Sequence, residues 1–333
     1  MKKIRILQNT GLIVLDTNER YDYMPKDVFI KMFLPQDCSY CIVPFMEPAD
    51  ICFFGVKLVS EKFLRPNETN ILIGLENCIY WMNNIPKNWD KILGERYKLA
   101  VKGEEKKYNN FNAKQNSSLK RGWKTRYSFI KKYGHLGSNK TNILFHNDIS
   151  SPIGHPKKVI PTIHCRIRYY NIMKQYYQDN IVETPFHKKK FILFISKNNY
   201  NENKILLVNN LKKNDIEYDH INDFDSVLKN TNCYNSIELF NLFNKYKFVA
   251  AFENSKTNGY ITEKIFNVFF SKSIPVYDGA PNVSSYLNPG CFIQMGNNLM
   301  NNLWNVSTNK NLYDKILNAD KIQPKFQNIK IEY

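Results

Sequence analysis

Short apolar runs recur along the chain, at residues 4–7, 40–43, 51–54, 71–73, 143–145, 191–195, 248–252 and 274–277. Their length and nearly continuous apolar character predict strands buried on both faces. Between several of them the spacing of apolar positions follows a helical period, notably at 205–211, 237–245 and 263–271. Strands alternating with helices point to an α/β chain with parallel sheets covered on both sides. Residues 103–120 are polar throughout and predict a surface loop, and no internal repeat is present.

The second half is the more legible. Phe191–Ser196 predicts a strand running into a polar turn, with a helix beginning near Asn203. Residues 246–252 predict a strand ending in Glu253-Asn254, followed by a turn at Gly259. Thr262 is a suitable N-cap for the next helix. Pro275 closes that helical run, and residues 274–277 followed by Gly279 give the next strand and turn. Such strand–loop–helix–strand units build open nucleotide-binding sheets, whose ligands lie outside the carboxyl ends of the strands, against helix N-termini. At ~150 residues per domain a chain of this length forms two. The Pro185 break in Glu183–Lys190 places the boundary there: an N-terminal domain at 1–187, a C-terminal domain at 188–310, and a helical tail at 311–333 able to pack back on the first domain.

Composition sharpens this picture. The 333 residues carry 47 Lys+Arg against 30 Asp+Glu, a net charge of +17, and 43% are hydrophobic, which excludes disorder as the main state. The excess attracts phosphate-bearing partners in general. Only eight of the cations are arginine, the last at Arg168, and the lysine remainder is largely a solvated surface. No recognition helix, zinc finger or aromatic RNA-binding motif accompanies the charge, so nucleic acid is not an expected partner. No segment approaches the ~20 apolar residues of a membrane span, and the start of the chain predicts a strand rather than a signal peptide. With seven scattered cysteines, that favours a reducing, cytoplasmic setting. The five Asn-x-Ser/Thr sequons, at Asn67, Asn116, Asn139, Asn282 and Asn305, then carry no weight. Cys38-x-x-Cys41 lacks a second ligand pair, and the six histidines show no metal spacing. Asp223-Phe224-Asp225 formally matches a metal-binding DxD, but that motif closes an apolar strand and this one follows a polar segment.

The chemistry concentrates between Phe252 and Ile293. Lys264 falls in the first turn of a helix, beside the positive end of the dipole, an unfavourable place for a cation unless an anion joins it. A diphosphate resolves that conflict. Glu263 beside it can accept hydrogen bonds from ribose hydroxyls, and Tyr260 and Asn254 present polar groups from the preceding loop.

Phe252-Glu253-Asn254, Tyr260-Ile261-Thr262-Glu263-Lys264, the span from Pro275 to Gly279, and Phe292-Ile293 together resemble the signature of the α-1,3-fucosyltransferase family. Residues 47–55 are similar to a strand of that family's N-terminal domain, and residues 73–77 resemble the motif that carries its proposed catalytic Glu, here Glu76. Residues 98–187 align with nothing in it. The resemblance implies an α/β fold of the GT-B type, with two Rossmann-like domains facing across a cleft. It implies inverting, metal-independent transfer of fucose from GDP-fucose to a hydroxyl of a glycan, most directly with α-1,3 linkage. GDP-fucose is then the donor substrate and no cofactor is required. Glu76 becomes the catalytic base, Lys264 a ligand of the diphosphate, and Glu263 of the ribose, with Asn254 and Tyr260 in the donor loop.

Two positions depart from the family. Its donor-domain arginine, which contacts the diphosphate, has no counterpart after Arg168. Lys204 sits near the matching place, and Arg126 is an alternative from the N-terminal half. Asp278 stands where related sequences carry an apolar or aromatic residue, which bears on the identity of the sugar. Two alternatives stand beside this reading: a transferase of the same fold using another nucleotide sugar, and a non-enzymatic basic protein that binds phosphate-bearing polymers.

Overall fold

The computed structural model describes residues 1–6, 26–35, 38–44, 46–55, 65–73, 143–146, 158–196, 201–221, 236–254 and 256–331. They fall into two compact units, Met1–Thr10 with Tyr40–Val159, and Gly11–Ser39 with Ile160–Tyr333. Among the described residues no helix is long and apolar enough to cross a membrane.

Unit 1 is built on six strands: β1 (Lys2–Ile6), β2 (Tyr40–Ile42), β3 (Ile51–Gly55), β4 (Thr69–Ile73), β5 (Ile143–His146) and β6 (Lys158–Pro161). They lie in the order β2-β1-β3-β4-β5-β6, and the pairings from β2 through β5 are parallel. Ile4 and Ile6, Ile51 and Phe53, and Ile71 and Ile73 are buried on one face of their strands, and the intervening Arg5 and Cys52 are buried on the other, as strands covered on both faces require. The chain passes into unit 2 within β6.

Unit 2 contains α1 (Lys26–Phe33), α2 (Thr162–Asn180), β7 (Lys190–Ile195), α3 (Glu202–Lys213), β8 (Tyr218–Ile221), α4 (Ile237–Asn244), β9 (Tyr246–Phe252), α5 (Glu263–Phe270), β10 (Ile274–Asp278), β11 (Ile293–Gln294), α6 (Leu299–Thr308) and α7 (Lys310–Asn318). Its sheet is parallel throughout, in the order β11-β10-β9-β7-β8. Sequence-adjacent strands leave β7 in opposite directions, so the β7/β9 boundary is a topological switch point, where ligands of open α/β sheets bind.

One face of this sheet carries α3, α6 and α7, through Leu207, Leu211, Leu303, Val306 and Tyr313 packed on Ile192, Phe194, Phe248, Ile274 and Val276. By the two-residue period of a strand, Leu193, Val249, Ala251 and Tyr277 point the other way and are equally buried. There α5 contacts β9, β10 and α2. Helix α5 is buried from Ile265 through Phe270, which explains its nearly unbroken apolar sequence. Three helices start on side-chain caps: Asn201 accepts from Lys204 N, Ser236 from Leu239 N and Asn309 from Leu312 N.

All eight strands expected from the apolar runs are present, and so are the three helices. The strands β6, β8 and β11 and the helices α1, α2 and α6 are additional. The nineteen-residue α2 lies in the stretch where nothing aligned with the family. Its buried residues include Ile163 and Ile167 near the start, but its second half is buried through Tyr169, Tyr170, Met173 and Tyr177. Tyr170 stands 5.4 Å from Phe270, and Tyr177 stands 4.7 Å from both Phe270 and Phe240. Each aromatic contact adds roughly 0.5–1.5 kcal/mol beyond the area it buries. The Tyr169 and Tyr177 hydroxyls satisfy one another at 3.0 Å, so the tyrosine face is buried without orphaned polar atoms of its own.

Candidate functional site

The register of β9 against β10 sets Phe252 opposite Asp278, so both strands end level at their carboxyl ends. Glu253, the next residue, donates its N–H to Asp278 O at 2.7 Å, and its side chain is buried. Buried carboxylates need donors. Thr262 supplies two, its backbone N–H to Oε1 at 2.7 Å and its hydroxyl to Oε2 at 2.6 Å. Thr262 occupies the N-cap position of α5 with extended backbone, as expected, but its hydroxyl is committed to Glu253 and does not cap the helix. Gly279 makes this close approach possible. A Cβ there would lie 2.5 Å from Glu253 Cγ and 2.4 Å from the Tyr277 hydroxyl. The intervening loop turns at Gly259, whose φ of 78° favours glycine, and Asn282 Oδ1 anchors it by accepting from Gly259 N at 2.8 Å.

Lys264 then lies among carboxylates. Its Nζ is 3.5 Å from Glu253 Oε2 and 3.3 Å from Glu263 Oε1, and it donates to Thr262 Oγ1 at 3.1 Å. Arg166 of α2 reaches Glu263 Oε2 at 3.3 Å. The charges alternate: Arg166, Glu263, Lys264, Glu253. The anion that the first-turn lysine requires is therefore supplied inside the protein. Burial alone lowers the Lys264 pKa, but Glu263 and then Glu253 outweigh it and raise it. Burial raises the Glu263 carboxyl, yet Lys264 and Arg166 together carry it down to about 2. Burial also raises Glu253, against the pull of Lys264. The network thus holds a charged amine and a charged carboxylate, 28% and 31% exposed, at the carboxyl edge of the sheet.

A second cluster lies at the ends of β7 and β8. Lys204, in the first turn of α3, extends its Nζ to Ser196 Oγ at 2.9 Å and to His220 Nε2 at 2.6 Å. Burial lowers the Lys204 pKa. Burial and then Lys204 lower that of His220, against a backbone contact with Ser196. The adjacent Asn203 ties this cluster to the first, donating to Asp278 Oδ1 at 3.0 Å, and Lys256 pairs with the same oxygen at 2.8 Å. Among the described residues, Asp278 Oδ2 is buried with no hydrogen-bond partner.

Residues 184–323, which contain both clusters except Arg166, match the model of glycosyltransferase family 10 (fucosyltransferase), C-terminal part. The match is confined to this C-terminal part of the chain. It is 37% identical over 83 residues to the alpha-(1,3)-fucosyltransferase FucT of Helicobacter pylori, covering 23% of this chain and 17% of that protein. It is 35% identical over 68 residues to GDP-fucose protein O-fucosyltransferase 3 of Xenopus laevis, covering 20% and 14%. It is 48% identical over 44 residues to the alpha-(1,4)-fucosyltransferase of Arabidopsis thaliana, covering 13% and 11%. The chain thus spans less than a fifth of the length of these relatives. A crystal structure of an alpha1,3-fucosyltransferase with GDP aligns over 96% of this chain and 81% of that one, with a TM-score of 0.49 and 16% identity.

The expected site residues fall into separate places. Glu263 and Lys264 are brought together, Tyr260 is buried in the loop before them, and Asn254 is exposed beside Glu253. Lys204 lies in the second cluster. Glu76, Arg126 and Asp223–Asp225 lie outside the described residues. Cys38 and Cys41 are free thiols. Three further participants carry little signal of their own in the sequence. Glu253 is the middle residue of Phe252-Glu253-Asn254. Arg166 carries no local signal, because only the packing of α2 brings it to α5. His220 was obscured by the polar strand in which it sits.

Proposed function

We propose that the chain is an inverting glycosyltransferase that moves fucose from GDP-fucose to a hydroxyl of a glycan acceptor, with α-1,3 linkage. The observation that carries this is the charged network at the carboxyl edge of the unit 2 sheet. Glu263, held ionised, accepts hydrogen bonds from ribose hydroxyls through lone pairs that Arg166 and Lys264 leave over. Lys264, held charged and partly open to solvent, faces the diphosphate, and Lys204 and Lys256 add charge along the same edge. These cations stabilise the negative charge that develops on the departing GDP, the role on which such a transfer depends. Glu76 takes the proton from the acceptor hydroxyl as its oxygen bonds to the anomeric carbon and the bond to the diphosphate breaks. With that charge supplied by side chains, the reaction proceeds without a metal ion.

The two units, each with a parallel sheet, fit the two halves of a GT-B enzyme, with donor in the second and acceptor in the first. Fucosyl transfer is common to the names of the three relatives, whereas α-1,3, α-1,4 and protein O-linked transfer all occur among them, so the linkage is the finer part of the reading. One observation bears on the sugar: Asp278 Oδ2, buried without a hydrogen-bond partner among the described residues, is an acceptor that a sugar hydroxyl could fill.

Calorimetric titration of the full chain with a panel of nucleotide sugars separates these readings. GDP-fucose is expected to bind and other nucleotide sugars to bind at least about tenfold more weakly, a difference of about 1.4 kcal/mol. Preference for a different sugar would overturn fucose, and no binding across the panel would overturn the enzyme. Glu76→Ala is expected to abolish transfer and leave donor binding intact. Undiminished turnover in this variant would remove Glu76 as the base. Activity should persist in chelator.

A further inference from the structure

We propose that His220 and Lys204 form a proton-linked clamp for the donor's diphosphate, in which the imidazole takes up a proton as the anion binds. The inference rests on the donor reading above and adds to it a residue and a regulation that the reading does not need.

The geometry sets the free state. With Nζ only 2.6 Å from Nε2, we assign the ammonium as donor and a neutral imidazole as acceptor, the tautomer in which Nε2 carries no proton. Two cations at that separation would repel strongly in a partly desolvated site. The register pairs His220 with Phe194, one step short of the ends of β7 and β8, and Ser196 Oγ fixes Nζ from the other side at 2.9 Å. The pair therefore sits at the carboxyl edge of the sheet, on the β7 side of the switch point, joined to the Glu253–Lys264 network through Asn203 and Asp278.

The groups around the imidazole decide what an anion would do. From α3 comes Lys204, from β7 the Phe194 ring, its centroid 6.3 Å away, and from the residue after β7 Ser196. On its own strand, Asp219 points to Lys190 and Tyr246, away from this pair. Lys204 is thus the charged group in contact with His220 among the described residues, and both burial and that lysine disfavour the imidazolium. A diphosphate reverses the balance. One proton passes from solvent to Nε2, the internal hydrogen bond opens, and both Nζ–H and Nε2–H turn to phosphate oxygens. No other bond changes. Two donors on separate atoms give the two-pronged contact that one ammonium lacks and that a guanidinium offers. The chain has no arginine beyond Arg168 to offer it.

The sign follows from linkage. If the bound state holds more protons than the free state, donor affinity rises as pH falls. GDP-fucose is a suitable probe because its diphosphate, esterified at both ends, does not titrate near neutrality. Calorimetry at pH 6.5 in buffers of different ionisation enthalpy should show uptake of a sizeable fraction of a proton per nucleotide sugar. Affinity should tighten several-fold between about pH 7.5 and pH 6, approaching a tenfold limit per unit. His220→Gln should abolish the uptake and flatten the profile, and Lys204→Arg added to it should restore affinity without restoring the pH dependence. In the unaltered chain, the His220 ring signal followed by NMR should titrate at higher pH once GDP-fucose is present. Binding of GDP-fucose with no proton uptake, or with uptake unchanged in His220→Gln, overturns the clamp and leaves the donor reading standing. No binding at any pH overturns the donor reading and the clamp with it.

Discussion

Two arginine–glutamate pairs, one in each unit, use the same groups in opposite ways. In unit 1, Arg5 and Glu68 are sealed from solvent, with side chains 1% and 3% exposed. Glu68 Oε2 accepts from the Arg5 guanidinium through Nε at 2.7 Å and through a second nitrogen. Its Oε1 accepts from Ala49 N at 3.0 Å and from Arg65 at 3.4 Å. In unit 2, Arg166 meets Glu263 at 3.3 Å, and Glu263 and its neighbour Lys264 remain about a third open. A sealed carboxylate whose lone pairs are filled ties β1 to the loop before β4. An open one with capacity to spare can serve a ligand. The sign and type of charge say nothing about which is which; exposure and hydrogen-bond saturation do.

The comparison breaks most sharply at Arg5. Arg5→Met leaves Glu68 buried without its main partner, and a loss of about 3–5 kcal/mol in unfolding free energy is expected by urea denaturation. Replacing both residues with apolar ones of similar volume should recover most of it. Lys264→Ala should do the reverse. Lys264 is itself partly exposed, Glu253 keeps both donors from Thr262, and its raised carboxyl can take a proton, so the loss of stability should be smaller than in Arg5→Met. GDP-fucose affinity should instead fall about 100-fold, about 2.7 kcal/mol. If Lys264→Ala unfolded the chain as readily as Arg5→Met, the unit 2 network would be structural, and the contrast between the two pairs would disappear.

The sequence made this contrast only half visible, for physical reasons. Parallel strands buried on both faces write themselves as apolar runs, so β7, β9 and β10 were legible, and with them the carboxyl edge where Glu253, Glu263 and Lys264 stand. Helix α2 was not, because tyrosines that pair their own hydroxyls bury well while looking amphipathic, and so Arg166 had no address. Strand β8 reads as polar because Asp219 is used on one face, by Lys190 and Tyr246, and His220 on the other, by Lys204. Lys264 in the first turn of α5 was legible as a cation at the dipole's positive end, but its pairing with Glu253 was not, because that contact depends on α5 packing against the end of β9.

The finest test of the contrast is the pH dependence of Glu263. Its carboxyl, near 4.5 when unperturbed, lies at about 2 in the folded chain, because Lys264 and Arg166 outweigh its burial. A depressed carboxyl means that the unfolded chain binds more protons between those values. Its stabilisation is therefore fully present above about pH 4.5 and is lost as pH falls towards 2. Glu263→Gln removes that dependence and little else. Glu253, shifted the opposite way, is present in both proteins and largely cancels from their difference. Thermal unfolding of wild type and Glu263→Gln from pH 6 to pH 3 should show a gap in favour of wild type that narrows as the solution is acidified. Because both carboxylate and amine are partly exposed, the gap should also shrink with added salt, as surface-screened pairs do. A gap that holds constant across pH would mean that Arg166 and Lys264 do not keep Glu263 ionised, and would leave the ribose contact without its acceptor.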